Sequence, residues 1–464
     1  KESLILSKQY YQFTTMRNYF LVFIFILLSV SCSKADNPVK IELIQYGTPF
    51  AGVPDPHDAV IYQVNMRAFS STRNFQGVID RLDSIKALGV NVIYLMPTYP
   101  VGVLKAINSL YCIKDYMAVN SEFGTLTDLR KLIDGAHSRG MALIMDWVAN
   151  HTSWDNAWIS NHKDWYQQDA AGNIKSPVLG WLDVAQLNFT SAAMRREMIG
   201  MMKYWVYTAN CDGFRCDYAD GPPADFWKQA IDTLRNIKTH KLLLMAEGTR
   251  SDHFASGFNY TFGFPFYDQM KTVFNANQPV TKIDYLNASE YAGAGEGNMV
   301  VRYITNHDVN SSDGSPIGLF GGSSGSMAAF LVAAYMKGVP MIYNGQEVGT
   351  SYPLSMMKLG QTITWNQNQN MVEEYKKIIA FRNRSSAIRR GSLVSYSNSD
   401  ICAFTKTSGV ENVLVIINLR NATVNYPLPA AVAGSVWKDA FSGISVTLKS
   451  QLTLSPYSYQ VMTQ

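Results

Sequence analysis

An arginine and an aspartate stand two apart in GFRCDYADG, residues 213–221. In an extended segment that spacing puts Arg215 and Asp217 on one face and Cys216 on the other. A guanidinium beside a carboxylate favours its anionic form, which a nucleophile requires. A second carboxyl, Glu247, ends the apolar run LLLMA and precedes Gly248. A poorly solvated carboxyl has a raised pKa, which suits a general acid. Asp146, Asn150 and His151 fall in DWVANH, and His307 and Asp308 in TNHD. Two carboxyls whose surroundings split their roles are the requirement for cleaving a glycosidic bond. Each residue also has an ordinary use, Asp146 as a helix cap or His307 as a satisfied core histidine. The elements that hold them decide whether they meet.

Those elements read as a strand–helix rhythm. Eight apolar segments predict strands, at 59–69, 90–97, 141–148, 212–217, 241–247, 258–262, 299–306 and 339–344. Amphipathic or apolar helices are predicted between them, among others at 75–89, 126–140, 195–209 and 326–338. Most of the strands are near-continuously apolar, as in a parallel sheet buried on both faces. This number of βα units predicts a closed (β/α)8 TIM barrel. Active sites of such barrels lie at the carboxyl ends of the strands. The third strand then delivers Asp146, Asn150 and His151, the fourth Arg215 and Asp217, the fifth Glu247, and the seventh His307 and Asp308. Residues 152–187, rich in Trp, Asp and Asn, read as an inserted excursion after the third strand within a catalytic unit of 37–388. From 389 to 464 short strands alternate with turn residues, predicting a C-terminal antiparallel β-sandwich domain.

The 464 residues are 47% hydrophobic and 16% charged, a globular balance without a disorder signature. A net charge of +4, from 40 basic and 36 acidic side chains, is too small and scattered for a nucleic-acid partner. Aromatics reach 12%, and their flat faces suit sugar rings as well as cores. Arg17 precedes the apolar run YFLVFIFILLSV, residues 19–30, which is too short to span a bilayer. Residues 1–36 therefore predict an upstream segment, an export signal and a lipobox-like region, with lipidation at Cys32 and placement in the periplasm or at the outer membrane or cell surface. Cys112, Cys211, Cys216 and Cys402 match no zinc or haem spacing, and their pairing stays open.

The motifs DWVANH, GFRCDYAD, MAEG and TNHD, in that order, resemble those of the α-amylase family of glycoside hydrolases, family 13. The resemblance runs from about residue 57 to the C-terminus. It implies a retaining hydrolase acting on α-glucan or malto-oligosaccharide, with Asp217 as nucleophile, Glu247 as acid/base and Asp308 as a third carboxylate that grips sugar hydroxyls. It makes Arg215 the support of the nucleophile, His151 and His307 hydrogen-bond partners of the sugar, and Tyr111, four residues before Asp115, the residue that stacks on it. A transglycosylase of the same family would share every one of these residues. A non-catalytic glycan-binding barrel would have lost some of Asp217, Glu247 and Asp308, and all are present. The sequence also departs from the family. Asp220 and Gly221 replace a lysine–histidine pair that serves the leaving-group subsites and a calcium ion, Gln186 replaces a calcium-binding aspartate, and Cys112 replaces an aromatic. Of the calcium ligands Asn150 is retained, and the expectation is an enzyme that needs no calcium. Subsite shape is expected to come from loops around 99–110, 152–187, 250–257 and 312–325.

Overall fold

The computed structural model describes residues 43–177 and 180–464. The apolar run at 19–30 and Cys32 lie outside the described residues. Eight parallel strands close into a barrel: β1 (Ile61–Val64), β2 (Val92–Leu95), β3 (Ala142–Trp147), β4 (Gly213–Cys216), β5 (Leu243–Ala246), β6 (Tyr260–Phe262), β7 (Met299–Arg302) and β8 (Val339–Tyr343). Neighbours in sequence are neighbours in the barrel, and β8 closes it on β1 through Ile61↔Met341. Every residue of these strands is buried, which is why their sequences are apolar on both faces. The outward Trp147 of β3 packs edge-on against Tyr99 and Phe214, with ring centroids 5.7 Å away in each case.

The outer helices follow their caps and stripes. The helix Leu126–Ser138 starts at a capping box between Thr125 and Asp128 and buries Leu129, Leu132, Ile133 and Ala136. Three predicted elements differ. The seventh strand, expected over 299–306, ends at Arg302, and His307 and Asp308 open a short helix, His307–Ser312, capped by Asn306. The first strand, expected over 59–69, stops at Val64, because Asn65 gives its backbone N–H to Asn344 Oδ1 (2.5 Å) and Met66–Phe69 turns helical. The helix expected over 75–89 is two pieces, Phe75–Ile79 and Leu82–Ala87, since Arg81 leaves helical dihedrals at φ −115°, ψ 6°.

The excursion opens and closes with a ribbon, His151–Ser153 paired antiparallel with Val184–Gln186. At the C-terminal end a six-stranded sheet, built on Ile401–Ser408, Glu411–Asn418 and Tyr459–Thr463, faces a two-stranded sheet of Val424–Pro427 and Gln451–Leu454. Ile401, Leu414, Ile416, Tyr426, Trp437 and Met462 fill the space between them. Cys112, Cys211, Cys216 and Cys402 are all buried free thiols.

Candidate active site

Asp146 on β3 and Arg215 on β4 are in register, so both side chains enter the barrel side by side. Gly213 starts β4 at φ +138°, and a Cβ there would sit 1.9 Å from the Leu243 carbonyl oxygen. Glycine is thus required for β4 to lie against β5. The fully buried Arg215 guanidinium binds three carboxylates. Nη1 donates to Asp146 Oδ1 (2.8 Å) and Asp217 Oδ1 (3.0 Å), and Nη2 pairs with Glu247 Oε1. The second Glu247 oxygen accepts the backbone N–H of Tyr218 at 2.8 Å. Tyr218 makes that bond from a left-handed backbone, φ +39°, a conformation that costs a non-glycine residue about 1–3 kcal/mol.

A hydrogen-bonded chain runs into this cluster from Gln63. Gln63 Nε2 donates to His307 Nδ1 (2.8 Å), so His307 carries its proton on Nε2 and donates to Tyr111 Oη (2.7 Å). The Tyr111 hydroxyl then donates to Asp146 Oδ2 at 2.9 Å, which Tyr94 also reaches, at 2.6 Å. Burial lowers the pKa of both His151 and His307 to about 4, so both rings are neutral at pH 7.

The electrostatics differ from the sequence expectation. Arg215 does pull the Asp217 pKa down, but burial raises it more, and Glu247, Asp146 and Asp308 add like charge, so Asp217 lies well above the usual carboxylate range. Glu247 is not an isolated carboxyl in an apolar setting, because it shares Arg215 with Asp217. Burial also raises Asp308, although about half of its side chain (52%) is open to the mouth and solvent screens that effect.

Tyr111, His151, Asp217, Glu247, His307 and Asp308 meet around one cavity of about 330 Å³. Sequence reasoning singled out all of these, and Arg215 lies directly beneath Asp217 and Glu247. It passed over Trp181, Tyr218, Phe264, Met356 and Met357, which also line the cavity. Trp181 stands edge-on to Tyr218, with centroids 5.0 Å apart, and to His151, at 5.9 Å. The Trp-rich composition of the excursion was the available signal for Trp181; Tyr218 sits inside the motif itself. The loops around 99–110 and 152–187 contribute to the wall as expected, through Ile107, Trp181, Asp183 and Val184. Among the described lining residues, none comes from 250–257 or 312–325, and the loop after β8 supplies Met356 and Met357 instead.

Asn150 lies beside this cavity and is held by Gln186. Gln186 Nε2 donates to the Asn150 carbonyl (3.0 Å), to Asn150 Oδ1 (3.1 Å) and to the Leu187 carbonyl (3.1 Å), while its Oε1 accepts from Asn150 Nδ2 (3.3 Å). A calcium ion needs about 6–8 oxygens, carboxylates among them. Here an N–H donor sits among the oxygens, where a cation would need acceptors alone. The residues do not fit calcium. Asp155 Oδ2 accepts from Val103 N–H (3.1 Å) and pairs with Lys114 (3.4 Å), while its Oδ1 is buried without a hydrogen-bond partner. Asp220 is turned to His253 Nε2 (2.6 Å) and the N–H of Thr249 (3.2 Å).

Acidic side chains gathered around a fully buried arginine, at the carboxyl end of an eight-stranded barrel, make the mouth of a glycoside hydrolase. The chain matches the alpha amylase catalytic domain over residues 65–177 and 178–408, and the maltogenic amylase C-terminal domain over 392–461. It belongs to the α-amylase family of glycoside hydrolases. It is similar to alpha-amylase 2 of Dictyoglomus thermophilum, 25% identical over 420 residues that cover 84% of this chain and 70% of that one. It is similar also to a cyclomaltodextrinase of Geobacillus thermopakistaniensis, 25% identical over 83% of this chain and 69% of the relative. Its fold matches that of the maltogenic alpha-amylase AmyB from Thermotoga neapolitana with a TM-score of 0.79 at 23% identity, over 88% of this chain and 99% of that one.

Proposed function

We propose that the protein hydrolyses α-glucosidic bonds, chiefly α-1,4, in starch, maltodextrins or related oligosaccharides, with retention at the anomeric carbon. One observation carries the reading: Arg215 holds Asp217 and Glu247 on its two terminal nitrogens. Such neighbours form a close carboxyl pair, suited to the roughly 5–5.5 Å of covalent double displacement rather than the wider gap that admits a water. Asp217 attacks the anomeric carbon while Glu247 protonates the departing glycosidic oxygen. Glu247 then takes a proton from water, which releases the sugar from Asp217. Asp308 and the neutral His151 and His307 bind ring hydroxyls, and Tyr111 supports the ring. Asp146, Asp217 and Asp308 gather near a single guanidinium, and their negative charge, joined by that of Glu247 as it gives up its proton, favours the positive charge that grows on the sugar. Proton NMR of the first product tests the reading: the α-anomer is expected, and an initial β-anomer overturns it.

A second reading, transglycosylation, draws support from Trp181 and Tyr218, which offer aromatic surface on the cavity wall next to Glu247. Products longer than the substrate, formed at high oligosaccharide concentration, would favour it. The reading includes no calcium requirement, supported by the amide contacts of Gln186. It also includes export with a lipid on Cys32, supported by the basic and apolar run before that cysteine. Membrane fractionation of a Cys32→Ser form tests the anchor, and unchanged membrane association rejects it.

A further inference from the structure

We propose that the flank of the barrel carries a second small-sugar site, in the cavity between the helix Leu82–Ala87 and the helix Gln369–Arg384, which takes a glucose or maltose unit. The cavity measures about 340 Å³, within the range of small-molecule sites. It is separate from the catalytic mouth, and no residue lines both. On its inner wall Glu347 is 4% exposed. Glu347 Oε1 accepts from the Tyr62 hydroxyl at 2.5 Å, but Oε2 is buried without a hydrogen-bond partner. A buried acceptor left unpaired costs about 1–3 kcal/mol, more for a charged one, so this oxygen calls for a donor. Burial also raises the Glu347 pKa to about 7, and the Tyr62 hydroxyl and the backbone N–H groups of Glu347 and Gly345 offset only part of that rise.

The same cavity holds a donor without an acceptor. The Arg81 guanidinium lies 3.9 Å over the ring of Trp365, and among the described residues it makes neither an ion pair nor a hydrogen bond. Ser84 stands on the lining with a further donor, while Lys376, also on the lining, is paired with Glu373 at 2.7 Å. These groups select the ligand by charge. Arg81 disfavours a cation, and of the two lining carboxylates Asp83 is already paired with Arg139, which leaves Glu347 alone as a poor cage for a metal. Glu347 repels an anion. A neutral polyol satisfies both sides, because one hydroxyl donates to Glu347 Oε2 while another accepts from Arg81. The choice of glucose or maltose rests on the proposed function, since these are the small polyols that such a reaction releases.

Hydrogen exchange with added glucose tests the site. Glucose is expected to slow exchange several-fold in 81–88 and 369–376. Arg81→Met should abolish that protection while leaving the rate on short maltodextrins at low concentration unchanged. Ser84→Phe, a substitution at an exposed helix position that fills the cavity, should do the same and guards against misfolding of the first variant. Protection confined to the catalytic mouth, or flank protection that survives both variants, overturns the site. If flank protection behaves as expected but no α-glucan is hydrolysed, the flank site stands and the proposed function falls.

Discussion

Two buried polar clusters sit within a few residues of each other at the carboxyl end of β3, and they are built in opposite ways. Around Arg215, charged groups crowd together, with carboxylates outnumbering the cation and burial raising Asp217. Around Asn150, neutral amides answer one another and Gln186 Nε2 has three oxygens to serve. The first arrangement stores electrostatic stress, which a fold would shed unless a ligand needed it. The second is made of neutral groups, each answered by a hydrogen bond. On the proposed function, chemistry falls to the stressed cluster and architecture to the satisfied one.

The sharpest way to break that contrast is to neutralise the stressed cluster. Asp217→Asn and Glu247→Gln should each lower kcat by at least the roughly 10²–10⁴ that proton transfer alone contributes. Asp217→Asn should at the same time raise the melting temperature, because it removes a buried like charge while Arg215 keeps Asp146 and Glu247. Near-normal turnover of an unactivated α-glucan, or a lower melting temperature in Asp217→Asn, would remove the basis for the comparison. Taking away the cation instead should be severe for the fold. Arg215→Met leaves its carboxylates unpaired in the barrel and should lose about 3–5 kcal/mol, read as a drop in the urea midpoint.

Much of this was legible in the sequence. The eight strands were visible because strands buried on both faces are apolar at nearly every position, and alternation alone put Arg215 and Asp217 on one face. What a strand does at its ends was less legible: Asn65 stops β1 through a bond to Asn344, 279 positions away. The sharing of Arg215 among three carboxylates was hidden for the same reason, since it depends on β3, β4 and β5 lying in register. Tyr218 was in plain view, yet no local preference of tyrosine announces the left-handed backbone from which its N–H reaches Glu247. Met356 and Met357 reach the cavity from a loop with no periodicity to read.

A smaller effect separates the neutral histidines from the carboxylates. His151 and His307 have folded pKa values near 4 against an ordinary 6.5, so the unfolded chain takes up protons first as the pH falls. Their contribution to stability is complete above about pH 6.5 and is lost between there and about pH 4, by roughly 3 kcal/mol each. Asp217 and Asp308 act with the opposite sign, because their raised folded values bind protons before the unfolded chain does. Comparing parent with His151→Asn cancels the carboxylates. The variant should gain relative stability from pH 6.5 down to pH 4, and a difference independent of pH would show that His151 is not held neutral.

The smallest predicted effect tests the satisfied cluster. Chelator should leave the parent's melting temperature and rate unchanged. Gln186→Asp removes the donor that serves the Asn150 and Leu187 oxygens and puts a carboxylate beside them. Without metal it should lose about 1–3 kcal/mol, the cost of buried acceptors left unpaired with an added charge. With calcium those same oxygens become ligands, and the melting temperature should climb back towards the parent value in proportion to the logarithm of the calcium concentration. The two halves of the experiment answer different questions. A chelator-sensitive parent would mean that the amide does not fill the place of an ion. A variant indifferent to calcium would mean that the oxygens around Gln186 are spaced for an N–H donor alone and cannot close on a dication.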